Sequence, residues 1–230
     1  INKIPRLLVV RKDIVNVEDL RGKVVGVQSI GGGFWLQTMI IFDSLGIDPD
    51  KHGLKFRVIG DGPVIAQALT TGNIDVAAMT YSLSDAALKA GFRSMVDAAE
   101  LKAPYQGPSM CALKEALASR QDFFLRLTKG LAEATAFILD GGNKPEVVKA
   151  LMKHLRLNKA DEGESSYKVL RLMTTLDLAP NPAAFKIVQR IVAKVNPKIA
   201  QVDIDQIIDA SFVRSLESSG FLAELRRKAK

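Results

Sequence analysis

Cysteine is all but missing from this 230-residue chain, and the single Cys111 excludes an intramolecular disulfide. Without a second cysteine or clustered histidines there is no zinc spacing either, so no metal is expected. Histidine occurs only twice, and His52 and His154 sit in unrelated polar contexts that suit surface or helix-end positions. Long apolar runs are missing too: stretches such as "MIIF" and "AFIL" fall well short of the roughly 20 residues that cross a bilayer. There is no low-complexity linker and no solenoid-type repeat. No charged, apolar, small-residue leader precedes Ile1, which leaves a cytosolic and an exported reading both open.

What the chain does contain is 47% hydrophobic side chains, enough for one large domain or two small ones. Its net charge of +7 is spread along the sequence except for the tail "RRKAK". Dispersed charge of this kind makes a solvated surface, and with no Gly-aromatic RNA motif or helix-turn-helix, nucleic acid is not an expected partner.

The order of elements is more informative. "RLLVVRKDI" reads as a strand, and Asn16 and Asp19 in "NVEDLRGK" have capping-box spacing. "KVVGVQSI" is a second strand, and Phe34 to Leu45 a mostly buried helix closed by Gly46. "LKFRVIG" alternates as a third strand, then "GDGP" opens a helix with Pro63 in its first turn and Gly72 at its stop. "NIDVAAMT" is a fourth strand, and "SDAALKA" a helix with Ser84 as its cap. Alternation at this spacing predicts an α/β unit with a largely parallel sheet.

"RSMVDAAEL" leads to the loop "KAPYQGP", where the character changes. "SMCALKEAL" predicts one more strand, with Cys111 a small buried hydrophobe in it. Helices follow at 122–139, 145–155, 163–176, 182–195 and 211–228, the first with Ser119 and Asp122 as a capping box. The last reads as an amphipathic helix against the core.

The glycine run "SIGGGFWLQT" lacks the lysine of a P-loop and the spacing of a dinucleotide fingerprint, and Val27 stands where a nucleophile elbow needs glycine. No cofactor is expected. What survives is a hydroxyl and bare amides at a strand end and helix start, which suits a polar or anionic ligand or simply a tight turn. Thr80, Tyr81 and Ser82 follow another strand and read first as turn formers, with ligand contact the alternative. Asp61 reads first as a helix cap, and Trp35 as helix core or domain interface.

Together "VEDLRGKVVGVQSIGGGFWLQTMIIFDSLGIDPDK", "ALTTGNIDVAAM" with "ALKAGFRSMVDAAEL", and "IDASFVRSLESSGFLAEL" resemble the substrate-binding proteins of ABC importers for nitrate, sulfonate, taurine and related solutes. The resemblance implies an α/β, type II periplasmic binding protein-like fold of two lobes joined by hinge strands. Residues 19–101 would form lobe 2, and residues 1–18 and 102–230 a helix-rich lobe 1 lacking its N-terminal portion, with the strands near 7 and 112 adjoining the crossing. It implies ligand contacts at Ser29, Ile30 and Gly31, with Gly32 nearby, at Thr80 and Tyr81, at Gly60 and Asp61, and at Gln106 and Ser109 beside the crossing. The visible loops supply amides and hydroxyls without a decisive arginine. The implied function is non-enzymatic: a monomer outside the cytoplasm that captures a small polar or anionic molecule and delivers it to a membrane permease. Alternatives on the same fold are a pyrimidine-precursor synthase, which would need reactive histidine and a cofactor lysine, and a cytosolic ligand-sensing domain.

Overall fold

The computed structural model describes residues 2–229, which divide into two compact units. One comprises Lys3–Tyr105 with Ala183–Asp203, the other Gln106–Pro182 with residues 204–229 and Asn2.

In the first unit, strands β1 (Leu7–Val10), β2 (Val24–Val27), β3 (Lys55–Val58), β4 (Val76–Met79) and β5 (Arg93–Asp97) form one sheet in the order β3-β2-β4-β1-β5. β2 runs parallel to β3 and β4, whereas β1 lies antiparallel between β4 and β5. The four other strands therefore share one direction and β1 opposes them. β5 was not legible as a strand, because only Met95 and Val96 interrupt its polar and charged run.

Helices α1 (Gly33–Ser44), α2 (Gly62–Thr70) and α3 (Tyr81–Lys89) fill the connections. The step from β2 to β3 goes one way across the sheet and the step from β3 to β4 the other, so right-handed crossovers put α1 and α2 on opposite faces. Coverage on both faces explains why Leu8, Val9, Val10, Val76 and Ala77 are all fully buried. On one face α2 and α3 contribute Ile65, Ala68, Leu69 and Ala87 to a cluster with Val9, Ile74, Ala77 and Met79. Trp35 is buried in α1, as expected of a core residue.

Local signals hold where they close on themselves. Asn16 and Asp19 form the reciprocal capping box of a 3-10 turn at Val17–Leu20, and Asp61 caps α2. Gly46 and Gly72 end their helices in the left-handed region, at φ 70° and 77°. Ser84 is not a cap: Thr80 caps α3, and Ser84 is buried one turn in, its hydroxyl donating to the Thr80 carbonyl. The helix Pro182–Ala193 joins this unit through Arg190, whose two terminal nitrogens donate to both Asp43 oxygens of α1 at 2.9 and 2.8 Å.

The second unit is helical among its described residues. α4 (Lys114–Ser119) and α5 (Gln121–Leu139) replace the expected strand, and residues 109–113 run exposed and unpaired into α4. Cys111 is accordingly exposed rather than buried. Ser119 does not cap α5; its hydroxyl donates back to the Glu115 carbonyl at the end of α4. α6 (Lys144–Leu155) and α7 (Ala160–Met173) pack closely where Gly163 faces Met152 and Val148. α8 (Pro182–Ala193) leaves for the first unit, and the chain returns through α9 (Ile204–Ile207), α10 (Ser211–Ser218) and α11 (Phe221–Lys228). The single helix expected over 211–228 is broken at Gly220, φ 76°, letting Leu216, Leu222 and Leu225 reach one core with Ala132, Ala136 and Leu176. No described helix is long and apolar enough to cross a membrane.

β1 is hydrogen-bonded on both sides inside the first unit's sheet, and that pairing draws residues 3–18 into it.

A Cβ added at Gly26 would collide with the Ile74 side chain. Gly26→Val should therefore destabilise the first unit by about 1–3 kcal/mol, seen as a lower urea midpoint. The Arg190 hydrogen bonds hold the Asp43 carboxyl below its usual range, so the pair's contribution is complete above the unfolded carboxyl pKa and disappears as pH falls through the folded one. The pair is largely exposed, so Asp43→Asn should cost at most about 1 kcal/mol near neutrality. Denaturation of both proteins in acid, below about pH 4, should bring their stabilities together.

Candidate functional site

The direction of the strands gathers the loops of interest. Because β2, β3, β4 and β5 run parallel, the segments after Val27, Val58, Met79 and Asp97 all emerge at one edge of the sheet. Connections leave β2 and β4 in opposite directions, making the gap between these two strand ends a topological switch point, where open α/β sheets hold ligands. Ser29, Ile30, Gly31 and Gly32 follow β2, Asp61 follows β3, and Thr80 and Tyr81 follow β4. Gln106 belongs to the other compact unit.

The β2 loop is the barest of these. Ser29, Ile30 and Gly31 are exposed, and Gly31 takes φ 79°, a left-handed turn that suits glycine. Gly32 occupies the N-cap of α1 with no side-chain hydrogen bond, and a Cβ there would strike Ser29 Oγ. The first intrahelical bond runs from the Leu36 amide to the Gly32 carbonyl. The amides of Gly33, Phe34 and Trp35 therefore precede the ladder, and with the helix dipole they make this end attractive to negative charge.

The other loops have their polar groups engaged. Asp61 Oδ1 accepts from the Val64 amide at 3.4 Å, and Thr80 Oγ1 from the Leu83 amide at 3.4 Å. Tyr81 donates its hydroxyl to Asp97 Oδ1 at 2.8 Å, tying the start of α3 to the end of β5. Burial first, and then the Asp97 carboxylate, push that phenol well above its ordinary range, so it stays protonated and donating. In the second unit Gln106 Oε1 accepts from the Asn181 amide at 2.9 Å. Asp61 and Thr80 thus shape their helix starts, and Tyr81 braces one.

The residue missed in the sequence is Arg6. It precedes β1, and because β1 is antiparallel its beginning lies at the same edge as the ends of the other strands. Leu7 pairs with both Met79 and Asp97, and the Ala98 amide donates to the Arg6 carbonyl at 2.8 Å. The side chain is buried, with 7% of its surface exposed. Its Nε donates to Gln37 Oε1 at 2.8 Å, Gln37 Nε2 donates to the Tyr105 hydroxyl at 2.8 Å, and the guanidinium lies 3.9 Å from the centre of the Phe34 ring. Burial lowers its pKa to about 10, only partly countered by Tyr105, so it remains charged at neutral pH. A buried cation normally carries a penalty of several kcal/mol unless it is paired. An arginine ahead of "LLVV" reads as solvated, and only the direction of β1 reveals where it ends up.

The family model described as "NMT1/THI5 like" matches residues 1–146. This chain belongs to that family. No curated protein matches it. Among solved structures, a protein from Bordetella bronchiseptica RB50 shares 17% identity with a TM-score of 0.66, over 95% of this chain and 72% of its own. A putative sulfonate ABC transporter periplasmic sulfonate-binding protein from Methylobacillus flagellatus KT shares 14% at a TM-score of 0.64, over 94% and 66%. The ligand-binding component of an ABC-type import system from Staphylococcus aureus, with zinc bound, shares 13% at 0.59, over 93% and 71%. The family member described here therefore has the periplasmic binding protein fold and spans about two thirds to three quarters of these neighbours. Among its described residues no group of three or more His, Cys, Asp or Glu side chains is gathered to hold a metal ion.

Tyr81→Phe removes the hydroxyl and leaves Asp97 with its Ala99 amide bond. It should cost about 1 kcal/mol, measured by equilibrium unfolding, and speed amide exchange at the start of α3.

Proposed function

We propose that this chain is the solute-binding component of an ABC importer, which captures a small polar or anionic molecule and passes it to a membrane permease. The observation that carries the reading is the convergence of the Ser29–Gly32 loop and the Thr80–Tyr81 helix start at a topological switch point, in a fold shared with import-system binding proteins. In this reading residues 19–101 form one lobe and residues 1–18 with 102–230 the other, and ligand shifts the population from open to closed. Ser29, Ile30, Gly31 and Gly32 offer amides and a hydroxyl, Thr80 and Tyr81 set the opposite side of the switch point, Asp61 holds α2 in place, and Gln106 is a further ligand contact. The protein acts as a monomer outside the cytoplasm, where importer binding proteins meet their solutes.

The role is binding rather than catalysis. The His52 ring is hydrogen-bonded to the Asp48 carbonyl at 2.8 Å, and His154 is exposed in the last turn of α6, so the two histidines supply no shared reaction centre. The test is native mass spectrometry for a retained solute, with thermal melting across sulfonates, nitrate, pyrimidines and aromatic acids. A true ligand at about 100 times its Kd should add about 2.7 kcal/mol of stability and a clear rise in Tm. No retained solute and no rise with any compound would overturn the proposal.

A further inference from the structure

Five other arginines show an exposed, carboxylate-paired arrangement, while Arg57 donates to the Asn73 carbonyl and Arg171 to the Tyr167 hydroxyl. Arg11, Arg21, Arg126, Arg190 and Arg226 all pair with carboxylates, and all are substantially exposed. Arg6 inverts both properties: it is more than nine-tenths buried, and it pairs with no carboxylate among the described residues. A guanidinium placed only to hold the fold would be expected to find carboxylates or several carbonyls, since leaving it without them is costly.

Its surroundings fix its orientation without neutralising it. Gln37 engages Nε alone and is itself held by Tyr105, while the Phe34 ring lies against the guanidinium. The Nη1 and Nη2 donors have no hydrogen-bond partner among the described residues. They are not sealed away either, because no fully enclosed side-chain nitrogen or oxygen is left without a partner. A cation whose plane is locked and whose fork is free has the geometry that receives two oxygens of one anion. Phe34 also belongs to the first turn of the uncapped, 12-residue α1, so the free fork and the unpaired helix amides favour the same sign of charge.

We infer that Arg6 is the charge-selecting residue of the site, and that the solute carries an oxyanion group, a carboxylate or sulfonate, which docks on the Arg6 fork. The inference rests on the solute-binding reading and narrows it, separating anionic solutes from neutral heterocycles. Gln37, Phe34 and Tyr105 are positioning residues that act through Arg6.

The experiment follows the Arg6 Nε–H resonance of the nitrogen-15-labelled chain during titration with acetate and methanesulfonate, against their neutral counterparts acetamide and methanesulfonamide, at constant chloride ionic strength. The resonance, assigned by its loss in Arg6→Lys, should shift saturably with at least one anion and with neither neutral compound. Arg6→Gln should weaken the anion response of the α1 amides roughly tenfold or more, Arg6→Lys less so. Without ligand, Arg6→Gln should melt at the same temperature as the parent or higher, because an unpaired buried charge has been removed. An Arg6 resonance indifferent to both anions overturns the inference, as does a lower melting temperature in both variants, which would make Arg6 structural. A neutral solute retained equally by the parent and Arg6→Gln would also overturn it while leaving the transport reading intact. An anion response at Arg6 with no solute found in any screen would do the reverse.

Discussion

The insertion of β1 against the direction of its neighbours is the constraint on which the rest of the first unit depends. A strand paired on both sides commits Leu7–Val10 to a register with Val76–Met79 on one side and Arg93–Asp97 on the other. Val9 joins the cluster beneath α2 and α3, and Leu8 and Val10 are fully buried as well. Each such side chain contributes on the order of 1.5–3 kcal/mol by burial, so the register is strongly specified. The same commitment carries the residue before the strand to the edge where the parallel strands end.

That edge brings together groups with different tasks. The hydroxyls and carboxylates of Asp61, Thr80 and Tyr81 are used in building the starts of α2 and α3 and in joining α3 to β5. The β2 loop keeps Ser29 exposed, and Arg6 keeps both Nη nitrogens of its guanidinium unbonded among the described residues. The scaffold at this edge is held by its own hydrogen bonds.

The second unit rests on a different principle. Its helices meet through small residues and leucines, with Ala132, Ala136, Leu222 and Leu225 at the centre and Gly163 allowing α6 and α7 to approach. Arg226 links Glu217 of α10 to the Leu176 carbonyl, fastening α11 to the segment after α7.

Much was legible where a signal was local. The capping box at Asn16 and Asp19, the cap at Asp61, the glycine stops at 46 and 72, and the strand–helix alternation up to residue 92 each depend on neighbours in sequence, so the sequence by itself determined them. It also placed Ser29–Gly32 and Thr80–Tyr81 at strand ends, because the end of an apolar run is visible in the residues themselves. Tertiary structure alone decided what depends on partners far along the chain. β5 is a strand because β1 pairs with it, not because its own residues alternate. "SMCAL" has the composition of a strand and is none, since no strand among the described residues pairs with it. Arg6 is buried and unpaired because β1 runs backwards between β4 and β5, and strand direction, being a property of pairing across some 70 to 90 residues, is written in no stretch of sequence around it.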